Sequence, residues 1–155
     1  MYKLIPVLFI ISIFGISGCA TNKTNDKSIK KLISALNEVA PYAKILDQFT
    51  AAAKNKNINK MIELTSISSI KMYGLPSFKN TYKNIFIPEI TSCNKIYSNK
   101  KMMVVSKEST KIGKGYIFQK ICTKSKGKPS IMNIKVLNDN GRISVGAVLI
   151  FKPNK

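Results

Sequence analysis

Three sets of residues in this chain could carry chemistry: three thiols (Cys19, Cys93 and Cys122), seven carboxylates and a dense field of lysine amines. No histidine accompanies them. Its absence removes the commonest general base near neutral pH and the commonest metal ligand, and it excludes Ser-His-Asp and Cys-His arrangements. The carboxylates are Asp26, Glu38, Asp47, Glu63, Glu89, Glu108 and Asp139. Two carboxylates can in principle hydrolyse a glycoside, but no spacing here singles out a pair. Asp47 and Glu63 fall in lysine-rich helical stretches and read as partners in surface ion pairs, and Asp139 belongs to a turn. A zinc site would need Cys93 and Cys122 plus carboxylates, and the ligand spacing is wrong for one. The expectation is therefore no catalytic residue, no metal and no cofactor. The segment Lys111-Ile112-Gly113-Lys114-Gly115-Tyr116 could bring backbone close to a phosphate. It lacks P-loop spacing and reads as a basic turn entering a strand.

Cys19 stands apart because of what precedes it. Lys3 opens the chain with a positive charge, an apolar run follows over 4–16, and small residues lead into the cysteine as Ile16-Ser17-Gly18-Cys19. A basic start, an apolar stretch and small residues at a cleavage point have the form of an export signal. The segment resembles a bacterial lipoprotein signal with these four residues as its lipobox. The resemblance implies that residues 1–18 are removed, that the Cys19 thiol is lipidated with the new amino group acylated, and that the product sits in the cell envelope. Ala20 rather than Asp after the cysteine implies the inner leaflet of the outer membrane, facing the periplasm, where two membranes exist. A retained anchor and an ordinary cleaved signal are the alternatives. The apolar run, 13 residues over 4–16, is short against the ~20 that span a bilayer.

Setting Cys19 aside for lipid leaves Cys93 and Cys122. An even remainder in an oxidising compartment predicts a disulfide closing about 30 residues. Two buried thiols, or a redox pair without CxxC spacing, are the other possibilities. Net charge is +19, and Arg142 is the only arginine beside twenty-five lysines. Such a field attracts acidic proteins and anionic surfaces. Lysine, however, lacks the bidentate fork that reads phosphates and bases, and an exported chain does not meet nucleic acid. Lysine, asparagine and isoleucine rising together also fits simple compositional drift. Lys120, Lys124, Lys126 and Lys128 form the local cluster best suited to an anionic contact.

The elements that would position these groups follow from periodicity. Residues 20–27 (ATNKTNDK) read as a flexible tether, which leaves 28–155 as one domain. Ser28 is a suitable N-cap for a helix carrying Ile29, Leu32, Ile33, Leu36 and Ala40. Pro41 would break or kink that helix or open the next, whose stripe is Tyr42, Ile45, Leu46, Phe49 and Ala53. After a polar turn, Asn57 caps a helix with Ile58, Met61, Ile62 and Thr65 that Gly74-Leu75-Pro76 stops. Ser77 caps another, with Phe78, Tyr82, Ile85 and Phe86, ending before Pro88. All these stripes read as core. The period then becomes strand-like over 101–107, 115–123, 131–137 and 143–151. Asn138-Asp139-Asn140-Gly141 is a hairpin turn. Met132, Ile134 and Val136 should share one face of their strand, and Ile143, Val145, Ala147, Leu149 and Phe151 one face of the next. Helices followed by an antiparallel meander define an α+β chain.

The segment Asn57-Ile58-Asn59-Lys60-Met61-Ile62-Glu63-Leu64-Thr65 and the hairpin 134–151 resemble the second helix and the closing hairpin of the NTF2-like superfamily, over a core of about 41–152. The resemblance implies helices packed on a curved antiparallel sheet, forming a cone. NTF2-like domains commonly place a Trp just after the turn, where Ile143 stands here. Their enzymes often use an Asp–His pair, which this chain cannot supply. The functional expectation is a membrane-anchored, periplasm-facing lipoprotein that acts as a non-enzymatic binding or assembly module for an envelope protein or anionic partner. A small-ligand pocket or residual enzyme, and an immunity or inhibitor lipoprotein against an exported toxin, are the alternatives. Oligomeric state is not legible.

Overall fold

The computed structural model describes residues 23–97, 104–124 and 128–152. Cys19, the apolar run before it, and Lys126 lie outside them. The first half is helical: α1 Lys23–Lys54, α2 Ile58–Glu63, α3 Ile67–Tyr73, α4 Leu75–Thr81, a π-turn at Tyr82–Phe86, and α5 Ile87–Thr91. The strands follow: β1 Lys95–Tyr97, β2 Val104–Ser109, β3 Lys114–Thr123, β4 Ser130–Asp139 and β5 Arg142–Phe151. All neighbours are antiparallel. β1 and β2 both pair with β3, on successive stretches of the same side (Lys95↔Thr123 through Tyr97↔Ile121, then Val104↔Phe118 through Ser109↔Lys114). They form one interrupted edge strand of an open meander, with β5 as the other edge. The chain is thus α+β, with its helices in the N-terminal half packed on an antiparallel sheet.

Several sequence expectations about the helices need correction. The helix starts at Lys23 rather than at Ser28, so residues 23–27 are helical backbone and not tether. It also runs without a break through Pro41. A proline removes one backbone donor and leaves a carbonyl a turn earlier without its partner. Both Pro41 and Asn37 are exposed, so water reaches that carbonyl. The third correction concerns α2 and α3, expected as one helix. They are split because β5 borrows the backbone between them. Ser66 N–H donates to the Val145 carbonyl and Val145 N–H to the Leu64 carbonyl, both at 2.8 Å. Asn57 does cap α2, its side chain accepting from Lys60 N–H at 3.0 Å. Gly74 ends α3 at φ +84°, in the region that favours glycine. Pro88, expected to lie beyond the last helix, sits in the first turn of α5, just after the π-turn.

The core lies between the sheet, the C-terminal half of α1 and the α4–α5 run. Leu46, Phe49 and Ala53 of α1 meet Met61, Tyr82, Phe86 and Ile90, and the sheet contributes Phe118, Met132, Ile134, Val136 and Val145. Phe49 is the hub, stacked on Phe86 and edge-on to Tyr82, with both ring centroids at 5.3 Å. Such pairs add about 0.5–1.5 kcal/mol each beyond their burial. The buried Tyr82 hydroxyl is 2.8 Å from Thr65 Oγ1, which itself donates to the Met61 carbonyl, so the phenol is the donor.

The hairpin turn is as expected: Asn140 and Gly141 have φ of +52° and +88°, the signature of a two-residue type I′ turn. The strand face is not as expected. Register shifts between Lys135 and Val136, leaving Gly146 as the extra residue of β5. One extra residue reverses the in-out alternation beyond it. Val145 is therefore buried, Val148 and Ile150 pack on the core, and Leu149 and Phe151 face outward.

The turn is clasped to the α2–α3 junction. Asp139 is buried and accepts from Ser66 Oγ at 2.7 Å, Ser68 Oγ at 2.6 Å and Ser68 N–H at 3.0 Å. Arg142 donates to the Glu63 carbonyl at the end of α2. An anion therefore meets a helix start and a cation a helix end, as the helix dipole favours. Burial works against the charge on Asp139, but the Ser68 and Ser66 donors and Arg142 outweigh it and hold its pKa below 3.8. A depressed carboxylate stabilises the fold above its unfolded-state pKa and loses that contribution as pH falls through the folded value. Asp139→Asn is expected to lower unfolding free energy by about 2–3 kcal/mol at neutral pH. In urea titrations the gap from wild type should narrow in acid below the ordinary Asp value. A gap unchanged in strong acid would show that charge at Asp139 is not what holds the clasp.

Candidate functional site

Two places on the domain gather polar groups. The first is a cleft of about 550 Å³ at the turn end of the sheet, lined by Glu38, Tyr42, Lys114, Tyr116, Asn138 and Asn140 among others. The middle of α1 supplies Glu38 and Tyr42, one turn apart. The first residues of β3 supply Lys114 and Tyr116. Tyr42 stands edge-on to Tyr116, with centroids 4.9 Å apart at 79°. Gly115 lets β3 approach β4 closely here: a Cβ would strike the backbone of Val136 and Leu137. The Gly113-Lys114-Gly115 stretch is thus the basic turn and strand entry that the sequence suggests. Burial and a hydrogen bond with Glu38 push the Tyr116 phenol up to about 12. At neutral pH that phenol keeps its proton, so it serves as a donor and not as a base. Among the described residues lining the cleft, Glu38 is the only acid. Asp139, next in sequence to Asn138, turns its carboxylate toward Ser66 and Ser68. The cleft offers a carboxylate, an amine, two amides and two aromatic edges, a set suited to holding a small polar group.

The second place is the opposite end of the sheet, around the disulfide. Cys93 and Cys122 are joined, with Cα atoms 5.3 Å apart. Their sulfurs lie 3.1 and 3.8 Å from the Glu89 carbonyl oxygen. The Glu89 carboxylate is buried, accepts from Ser130 Oγ, and pairs with Lys124 at 2.7 Å and Lys152 at 3.6 Å. Burial opposes its ionisation, but Lys124, Ser130 and Lys152 together draw its pKa below 4.5. α5, β3, β4 and the end of β5 meet at this one carboxylate. Among the described residues, no group of three or more His, Cys, Asp or Glu is placed to hold a metal ion.

The lysine cluster expected to meet an anion does not assemble as a surface. Lys120 lies in the helix-facing row of β3, its side chain 6% exposed, with its amine 3.8 Å from Asp47 of α1. Burial, helped by Lys54, lowers its pKa from 10.5 against the attraction of Asp47. Lys124 is bound to Glu89, and Lys128 is exposed at the start of the segment leading to β4. Strand alternation decides this: 116, 118, 120 and 122 all face the helices. The surface pairing expected of Asp47 is therefore a bridge to a buried lysine, while Glu63 does pair on the surface with Lys60 at 2.6 Å. Sequence reasoning did not single out Glu38, Tyr42 and Tyr116. The only signal was a Glu and a Tyr spaced i, i+4 on one helix, and their meeting with β3 is a tertiary event.

The chain matches no protein-family profile, no curated protein and no solved structure. The site is therefore read from its geometry.

Two measurements check this geometry. Reduction of Cys93–Cys122 frees a loop of 29 residues in sequence separation and should cost about 3–4 kcal/mol of stability in the chain-entropy account. A melting temperature unchanged by reductant would contradict it. Lys120→Met should raise the melting temperature, because it removes a desolvated amine while its partner Asp47 is 71% exposed and stays solvated without it. A fall would show that the pair with Asp47 outweighs the desolvation of the amine.

Proposed function

We propose that this protein is a lipid-anchored envelope lipoprotein facing the periplasm, whose domain works as a non-enzymatic binding or assembly module. The observation that carries the reading is the filled interior. Where helices cover the sheet, Phe49, Tyr82, Phe86, Phe118, Met132 and Ile134 occupy the space, and none of them is exposed. A domain filled by its own side chains keeps its outer surfaces for partners. The order of helices and then meander is what the NTF2-like resemblance calls for, and such a relationship is part of the proposal. The anchor rests on Ile16-Ser17-Gly18-Cys19. No helix among the described residues is long and apolar enough to cross a membrane.

A second reading, a small-ligand site, is favoured by one observation: the cleft at Glu38 and Tyr116 is open and polar while the interior is closed. The Tyr116 proton already goes to Glu38, so a ligand held there would be small, polar and a hydrogen-bond donor toward the Glu38 carboxylate and the phenol oxygen.

The anchor is tested by metabolic labelling with a palmitate analogue. Wild type should carry the label and Cys19→Ser should not. Equal labelling of both, or none of wild type, would remove the basis for the envelope address. Cross-linking in native cells should then trap an envelope component on the anchored protein. A protein that is labelled but traps nothing would argue against the assembly role and for the cleft.

A further inference from the structure

α1 is longer than the sheet it covers. Its C-terminal half carries the buried residues Leu46, Phe49 and Ala53, and its N-terminal half carries an apolar stripe that no described residue buries. Ile29, Leu32, Ile33 and Leu36 are 55%, 62%, 51% and 62% exposed. They recur at i, i+3, i+4 and i+7, the spacing of one helix face. The sequence reads this stripe as core, and the structure places it in the open. The polar side of the same turns bears Lys30 and Lys31, both exposed.

We propose that this half of α1 docks on an anionic lipid bilayer, with the stripe seated at the boundary between head groups and acyl chains. A helix with an apolar face and a lysine-bearing polar face binds such an interface through both terms, burial and attraction. Charge favours this occupant: net +19 repels a second copy and draws the protein to anionic lipid. Area favours it too. Four half-exposed aliphatic side chains fall far short of the ~800 Å² per partner of a stable protein interface, whereas a bilayer sets no such threshold. Position adds a third argument, which alone rests on the lipoprotein reading. Cys19 is four residues before the first helical residue, a reach of at most ~14 Å. The stripe then occupies roughly 9–20 Å along the helix. A lipid on Cys19 would hold that face beside the membrane.

The test uses the full chain with Cys19→Ser, so that lipidation plays no part, and with Ile33→Cys bearing a solvent-sensitive fluorophore. Cys93 and Cys122 are spent in their disulfide. Because the apolar run over 4–16 can itself enter a bilayer, the signal read is the emission at position 33 and not sedimentation. Vesicles of phosphatidylcholine with phosphatidylglycerol should shift that emission to the blue, and pure phosphatidylcholine should do so much less. Leu32→Ser with Leu36→Ser should raise the lipid needed for half the shift about tenfold or more. Both positions lie outside the core, so the melting temperature should match the parent's. No shift on anionic vesicles, or a shift that survives the double substitution, would overturn the proposal. A shift without vesicles that grows with protein concentration would assign the stripe to a second copy and overturn it as well. None of these outcomes bears on Cys19, which the palmitate label reads separately.

Discussion

The packing of α1 against the sheet is the constraint on which the rest of this molecule depends. A helix of 32 residues is about 48 Å long, and a ten-residue strand about 33 Å. One element therefore outreaches the other. Where they overlap, Leu46, Phe49 and Ala53 close the core, and the short helices α2 to α5 wrap the same aromatic hub. Where they do not, the helix continues alone. The exposed stripe and the cleft at Glu38 are both consequences of that mismatch, since the cleft forms where α1 leaves the start of β3.

Electrostatics in this domain is local and compensated, despite the large net charge. Among the described residues two carboxylates are buried, and each acts as a fastener. Asp139 fixes the β4–β5 turn to the junction of α2 and α3, and Glu89 gathers α5, β3, β4 and the end of β5 beside the disulfide. In each, hydrogen bonds and opposite charges outweigh the penalty of burial, so both remain ionised at neutral pH. Lys120 is the reverse case, a cation turned toward the helices and balanced by one distant carboxylate. Elsewhere among the described residues, lysines such as Lys44, Lys71 and Lys79 are exposed on the helices.

Much of the fold was legible in the sequence because it rests on short-range rules. Asn57 as a cap, Gly74 as a stop, the Asn140-Gly141 turn and the change of period near residue 90 are all local signals. The misreadings at Pro41 and Pro88 are local, but the others named below share one cause, which is that a neighbour distant in sequence decides the outcome. The pairing of Val145 with Leu64 and Ser66 divides what looks like a single helix. The bulge at Gly146 turns Leu149 and Phe151 outward against a clean alternation. Strand pairing puts Lys120 beneath α1. Helical spacing identifies an apolar face at Ile29 to Leu36 but cannot say whether the protein has anything to lay against it. The three-residue β1 carries too little pattern to be seen at all. Of the candidate site, the glycines at the start of β3 could be read, but the meeting of Tyr42 with Tyr116 could not.

The division of α1 into a covered and an uncovered half is tested most directly by amide hydrogen exchange along that single helix, in the full chain without membranes. The account predicts slow exchange over 43–53, where the helix lies under the core, and fast exchange over 28–36, where its described side chains are exposed. Equal, strong protection of both halves in dilute solution would mean that the apolar stripe is already buried, and would contradict the account.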